Sequence, residues 1–145
     1  MIFNLEQRCY IARSPYWALG CFDRLRGMIG RRFEPGKLDA MIFPRCRAVH
    51  SMGMSMTIDV VFVDKESQVA GLAAYYRPWR RPVFCCHADT VIELPAGTIA
   101  ATGTEIGHLL NLNSNFTPET VEKLRNEAMV KTGFLPCAGE NGEKA

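Results

Sequence analysis

The sequence lacks most of the features that mark common functional classes. No apolar run approaches the ~20 residues that a membrane-crossing helix needs, so no membrane partner is expected. The opening, MIFNLEQRCYIAR, does not read as an export signal, because Glu6, Arg8 and Arg13 interrupt its apolar residues. There is no Cys-x-x-Cys pair for a zinc ribbon or a thioredoxin-like site. There is no Gly-x-Gly-x-x-Gly and no P-loop to cradle phosphates, and no recognisable triad or nucleophile elbow. Charge is also sparse. Residues 1–81 carry 13 Lys/Arg against 7 Asp/Glu, residues 82–145 carry 4 against 8, and the net is +2. A polyanion partner calls for a denser basic patch, which disfavours nucleic acid.

What is present suits one folded domain. The chain has 145 residues, 48% of them hydrophobic and 22% charged, which excludes a largely disordered chain. A chain of this size hides roughly 68–70% of its unfolded surface, so a core needs no metal or disulfide staple. The six cysteines are Cys9, Cys21, Cys46, Cys85, Cys86 and Cys137. Without an export signal they are expected as free thiols in a reducing cytoplasm.

Hydrophobic patterning outlines the elements. Leu5 to Ala12 reads as a first strand. Ser14-Pro15 reads as a helix start, with Ser as N-cap and Pro in the first turn. Trp17, Cys21, Leu25 and Met28 then form an apolar stripe, bracketed by Gly27 and Gly30. Asp39 to Phe43 reads as a buried strand. Val49 to Asp64 gives the longest strand signal, β-branched and aromatic in its second half, Ile58 to Val63. A polar turn, residues 64–68, returns the chain along Val69 to Tyr75. Arg77-Pro78-Trp79-Arg80-Arg81-Pro82 is no central strand, because two prolines remove donors. Thr90 to Leu94 is a strand, Thr98 to Thr102 a short helix and His108 to Leu112 a last strand. These elements predict an α+β fold: a compact β-rich single domain, barrel-like or with a strongly curved mixed sheet, carrying a helix in its N-terminal half.

Composition shifts after residue 112. Asn111, Asn113 and Asn115 suggest a linker. Thr117-Pro118 opens a second helix, with Val121, Leu124 and Ala128 on one face, and Gly133 stops it. The expected division is therefore a domain over 1–112, then 113–145 as linker, added C-terminal helix and disordered tail.

Several motifs together resemble a known family. Arg26-Gly27-Met28-Ile29-Gly30-Arg31 looks like its "RGLMGR" element. Val49-His50-Ser51-Met52-Gly53-Met54 followed by Ile58-Asp59-Val60-Val61-Phe62 looks like its "IHTFGM…IDVVFLD" core. Pro78-Trp79-Arg80 and Glu93-Leu94-Pro95-Ala96-Gly97 complete the order. The chain resembles, over roughly residues 5–112, the domain of unknown function 192, a small bacterial and archaeal family. The resemblance implies a compact β-rich domain with no established activity. Gly107-His108 stands where the family usually has Gly-Asp, and Ser51 replaces the usual Thr.

The stretch richest in chemistry is His50 to Met56. On a strand, period two would put His50, Met52, Met54 and Met56 on one face. Thioether and imidazole suit soft Cu(I), and Cys46 completes a candidate metal set of His50, Met52, Met54 and Cys46. The structural alternative is a core strand with methionines as gap-fillers. The resemblance favours that alternative, since the family often has aromatics at the positions of Met52 and Met56. His50 and Asp59 form a candidate acid/base pair, although their odd spacing places them on opposite sides of a straight strand unless a bulge near Gly53 turns one. The alternative is a structural histidine and a carboxylate accepting backbone N–H groups. Cys46 and Cys86 read either as a thiol pair, open to metal or nucleophile chemistry with His50, or as two buried small hydrophobes. Tyr75 to Arg81 interleaves aromatics with guanidinium groups, a composition that stacks bases or holds anions. The alternative is a loop anchored to the core by Trp79.

The leading expectation is a non-catalytic binding or interaction domain with an unknown ligand or protein partner and no cofactor. Its surface would combine His50, Met54, Asp59, Trp79, Arg77 and Arg80. The second reading is a soft-metal, copper-type protein. The third is a small enzyme with a His/Asp or Cys/His site.

Overall fold

A computed structural model describes residues 1–112. Its elements are β1 (Ile2–Asn4), β2 (Cys9–Ala12), β3 (Pro15–Trp17), α1 (Cys21–Arg26), β4 (Ala40–Pro44), β5 (Ala48–Val49), β6 (Ile58–Val63), β7 (Val69–Tyr76), β8 (Val83–Phe84), β9 (Thr90–Pro95), α2 (Thr98–Thr102) and β10 (Leu110–Asn111). The most apolar segments build a five-stranded mixed sheet in the order β3-β4-β9-β6-β7. β3 runs parallel to β4, and the other pairs are antiparallel. A three-stranded sheet, β10-β1-β2, and a two-stranded one, β5-β8, accompany it. The class is α+β as expected, and the described residues form no closed barrel. The expected linker, C-terminal helix and tail lie outside the described residues. No helix among the described residues is long and apolar enough to cross a membrane.

The main sheet is covered on both faces, which is why β6 reads as a continuous apolar run and not as an alternation. On one face Ala40, Ile42, Val61, Val63, Ile92 and Leu94 pack with Ile2, Ile11 and Leu110 of the small sheet and Ile99 of α2. On the other, Met41, Phe43, Ile58, Val60, Phe62 and Val91 pack under Met28, Val49, Met54 and Tyr76. Burying one such side chain contributes roughly 1.5–3 kcal/mol. The β6–β7 hairpin closes at the expected turn, where Asp64 Oδ1 accepts the N–H groups of Glu66 and Gln68.

Three sequence expectations are corrected. The strand expected over 5–12 is only β2, Cys9–Ala12; residues 5–8 are the turn that folds it back on β1, which lies before the expected span. The helix expected from Ser14-Pro15 starts only at Cys21. Asp39 accepts the N–H groups of Arg13 and Ser14, and Pro15 pairs with Ala40 on the sheet edge. Tertiary pairing thus outweighs a local capping signal. The expected stripe is mostly exposed, with Trp17 at 40% and Leu25 at 71%, and only Met28 reaches the core. Finally, residues 50–57 are loop, not strand. Gly53 takes φ +77° there, and a Cβ on it would stand 3.3 Å from Ile29 Cδ1. That close approach locks the 50–54 loop onto the 27–30 turn.

Candidate functional site

β9 carries one charged residue in an otherwise apolar run. Val91 and Glu93 point to the face covered by Met28 and Met54, whereas Ile92 and Leu94 point to the other. Glu93 is 4% exposed, and its Oε2 has no hydrogen-bond partner among the described residues. Burial pushes its carboxyl up to about 8, because a low-dielectric surrounding disfavours the charged form. Most of it is therefore protonated at neutral pH.

A cavity of about 50 Å³ opens beside this carboxyl, walled by Arg24, Arg26, Gly27, Met28, Ile29, Phe43, Cys46, Ala48, Val49, His50 and Met54. Gly27 ends α1 with φ +51°. A Cβ there would stand 3.8 and 3.9 Å from the two Glu93 oxygens and 3.9 Å from Phe43 Cζ. Those are ordinary contact distances, so it is the backbone conformation that favours glycine here. Two arginines are held beside the cavity by backbone carbonyls. Arg24 donates to Arg45 at 2.9 Å and Arg26 donates to Ile29 at 3.1 Å. Residues from three stretches distant in sequence, 26–29, 49–54 and Glu93, thus meet at one place, and each belongs to a motif that carried the family resemblance.

The expected site residues separate. His50, Met54 and Cys46 all line the cavity. His50 is exposed, Met54 is buried at 4%, and the Cys46 thiol donates to the Ala48 carbonyl at 3.3 Å. Met52 is 59% exposed, so a buried row of methionines does not form; the Gly53 turn breaks the period of two. Among the described residues, no group of three or more His, Cys, Asp or Glu is placed to hold a metal ion.

Asp59 is fully buried and lies on the sheet face opposite the cavity. Its Oδ1 accepts the Tyr75 N–H at 2.9 Å and its Oδ2 accepts the Ile99 N–H at 2.8 Å. The first bond holds a bulge in β7, where the register slips between Ile58 and Val60 and Tyr75 takes φ +51°. The second caps α2, whose N-cap Gly97 offers no side chain. The structure does not bring His50 and Asp59 together.

The aromatic-basic loop differs from expectation too. Trp79 is 72% exposed with φ +60°, so it does not anchor the loop. Tyr76 does, donating its hydroxyl to the Arg81 carbonyl at 2.9 Å. Ser51 braces the same loop: its carbonyl accepts the Trp79 N–H at 3.1 Å and its hydroxyl accepts the Arg80 N–H at 2.9 Å. Trp79, Arg77 and Arg80 are exposed on a loop tied to the residue after His50. Cys86 is exposed and Cys85 is half-buried, the reverse of a buried Cys86.

Sequence reasoning overlooked Glu93, Arg24 and Arg26 as site residues. The available signal was the lone acid inside Val91-Ile92-Glu93-Leu94, a run that leaves it no solvent face.

Residues 17–112 match the model of the family DUF192, described as an uncharacterised ACR family. A UPF0127 protein of Pyrococcus furiosus is 35% identical over 66 residues, which are 46% of this chain and 56% of that protein. The match thus spans little more than half the length of that relative. Two solved structures share the fold, each at TM-score 0.59 and 20% identity over 67% of this chain. One is a protein of unknown function from Novosphingobium aromaticivorans, of which 73% is covered. The other, from Sinorhizobium meliloti, is described as a proposed transcription regulator, and 79% of it is covered. At that identity the likeness is one of fold. With the matched span covering well over half of its length, the chain belongs to the domain-of-unknown-function 192 family.

Proposed function

We propose that this domain is a small-ligand-binding module and that its site is the cavity at Glu93. The observation that carries the reading is the buried Glu93 Oε2 with no partner. A buried polar atom without a hydrogen bond destabilises a fold by about 1–3 kcal/mol. Such groups persist where a ligand or a reaction makes use of them. Here the protonated carboxyl would offer one donor and one acceptor into a space walled by Met28, Ile29, Phe43, Val49 and Met54. Few polar groups in an apolar hollow is the usual make-up of a ligand site. His50 and the loop of Trp79, Arg77 and Arg80, braced through Ser51, would form the outer surface met by the rest of a ligand. Asp59 belongs to the scaffold in this reading, since both its oxygens are occupied.

One observation supports a second reading, a soft-metal site: Cys46, His50 and Met54 line the same cavity. Backbone amide resonances decide between them. Small polar probes should shift the signals of residues 27–30, 46–54 and 91–94 in the wild type and leave Glu93→Leu unmoved. Stoichiometric Cu(I) binding that His50→Ala abolishes and Glu93→Leu leaves intact would favour the metal. Probe-induced shifts confined to other surfaces would overturn the cavity reading.

A further inference from the structure

We infer that the Glu93 cavity takes a small carboxylate head group on a short alkyl stem, with the Glu93 carboxyl donating a hydrogen bond to it and Arg24 and Arg26 balancing its charge. This rests on the ligand-binding reading above and names the class of ligand. Size comes first. A water's share of liquid volume is about 30 Å³, so a cavity of about 50 Å³ holds only one or two waters or a group of a few heavy atoms. A carboxylate with its α-carbon has that bulk, and a nucleobase or a sugar ring does not fit.

Charge narrows the class. Glu93, Arg24 and Arg26 are the formally charged residue types on the walls. With Glu93 neutral through burial, the two guanidinium groups remain, and they disfavour an ammonium ligand. A neutral amide could match Glu93 but would gain no charge pairing from the arginines. Guanidinium–carboxylate pairing is the stronger, charge-assisted kind, and so is a hydrogen bond from a carboxylic acid to a carboxylate. The apolar walls decide between anions. Inorganic phosphate would meet Met28, Ile29, Phe43, Val49 and Met54 with oxygen atoms, whereas an alkyl stem would bury against them.

The site predicts its own pH dependence. Protonated Glu93 donates to the ligand; ionised Glu93 repels it. Affinity should therefore fall as the pH rises through the Glu93 midpoint. His50 and Cys46 also face the cavity, so a variant must isolate the share of Glu93. Glu93→Gln keeps the size and a donor but does not titrate.

The test is a titration of the full-length chain with propionate, propionamide, propylammonium and inorganic phosphate, followed by amide resonances. It is run about two pH units below and above the Glu93 midpoint. The expected result is saturable binding of propionate at residues 27–29, 46–54 and 93, weakened about tenfold or more at the higher pH. Glu93→Gln should retain binding at both pH values, and Arg24→Gln or Arg26→Gln should weaken it several-fold. Propionamide, propylammonium or phosphate binding in the cavity more tightly than propionate would overturn the carboxylate and leave a ligand site of another class. No response at these residues to any of the four probes would overturn the carboxylate and the ligand-binding reading together.

Discussion

Asp59 on β6 and Glu93 on β9 stand one register step apart, Asp59 opposite Leu94 and Val60 opposite Glu93. Both are buried, at 0% and 4% exposure. The sheet pleat sends them to opposite faces, where they meet different surroundings. Asp59 finds two backbone N–H groups that secondary structure had left over, one in a bulge and one at the first turn of α2. Glu93 finds a glycine, apolar walls and open space, and keeps an unpartnered oxygen. Burial alone therefore does not distinguish a scaffold carboxyl from one proposed to bind a ligand; the hydrogen-bond account separates them.

The comparison breaks most visibly if Asp59 is removed. Asp59→Ala orphans one buried and one part-buried N–H group and should destabilise the domain by about 3–5 kcal/mol in chemical denaturation. A loss under about 1 kcal/mol would show that the bulge and the cap hold without it. Next comes pH. The folded-state value for Glu93 is raised to about 8 from 4.5, so the native state binds a proton more tightly than the unfolded one. The associated stability is present below about pH 4.5 and is lost as pH rises through about 8. By pH 7 the loss attributable to Glu93 should be about 3 kcal/mol relative to acid, read as the wild type minus Glu93→Gln. A flat difference curve would contradict it. Glu93→Leu should then stabilise the protein by about 1–3 kcal/mol at neutral pH, since it removes a buried polar group and fills apolar space. Destabilisation of that size would make Glu93 a scaffold residue like Asp59. The smallest effect sharpens the same contrast among methionines: exposed Met52→Ala should change stability by under ~0.5 kcal/mol, whereas buried Met54→Ala should lower it by about 2–5 kcal/mol.

Four of the five strands of the main sheet, all but β3, were legible because period and composition agreed there. The polar turn and α2 fall where the pattern put them, the strands expected over Val69 to Tyr75 and Thr90 to Leu94 each run one residue further, and only the second half of the strand expected over 49–64, Ile58 to Val63, forms. The misreadings arose where local signals met distant partners. Ser14-Pro15 has the chemistry of a helix start, but Asp39 and β4 take its backbone. His50 to Met56 has the period of a strand, but Gly53 turns the chain at φ +77° against Ile29. Trp79 has the size of an anchor, but Tyr76 fills that role. The site was half legible. His50, Met54 and Cys46 were singled out for their chemistry and do share a cavity. Glu93 escaped notice because its significance lies in a missing hydrogen bond, which no sequence pattern displays.

The most direct test of this contrast between carboxyls is a titration of the Glu93 side-chain carboxyl, followed by carbon-13 chemical shift in the full-length protein. Half-protonation at about pH 8 is the predicted result, the mark of an acid kept neutral in a cavity that leaves it unpaired. A midpoint near the ordinary glutamate value of about 4.3 would mean that Glu93 is solvated or ion-paired, and would contradict the account.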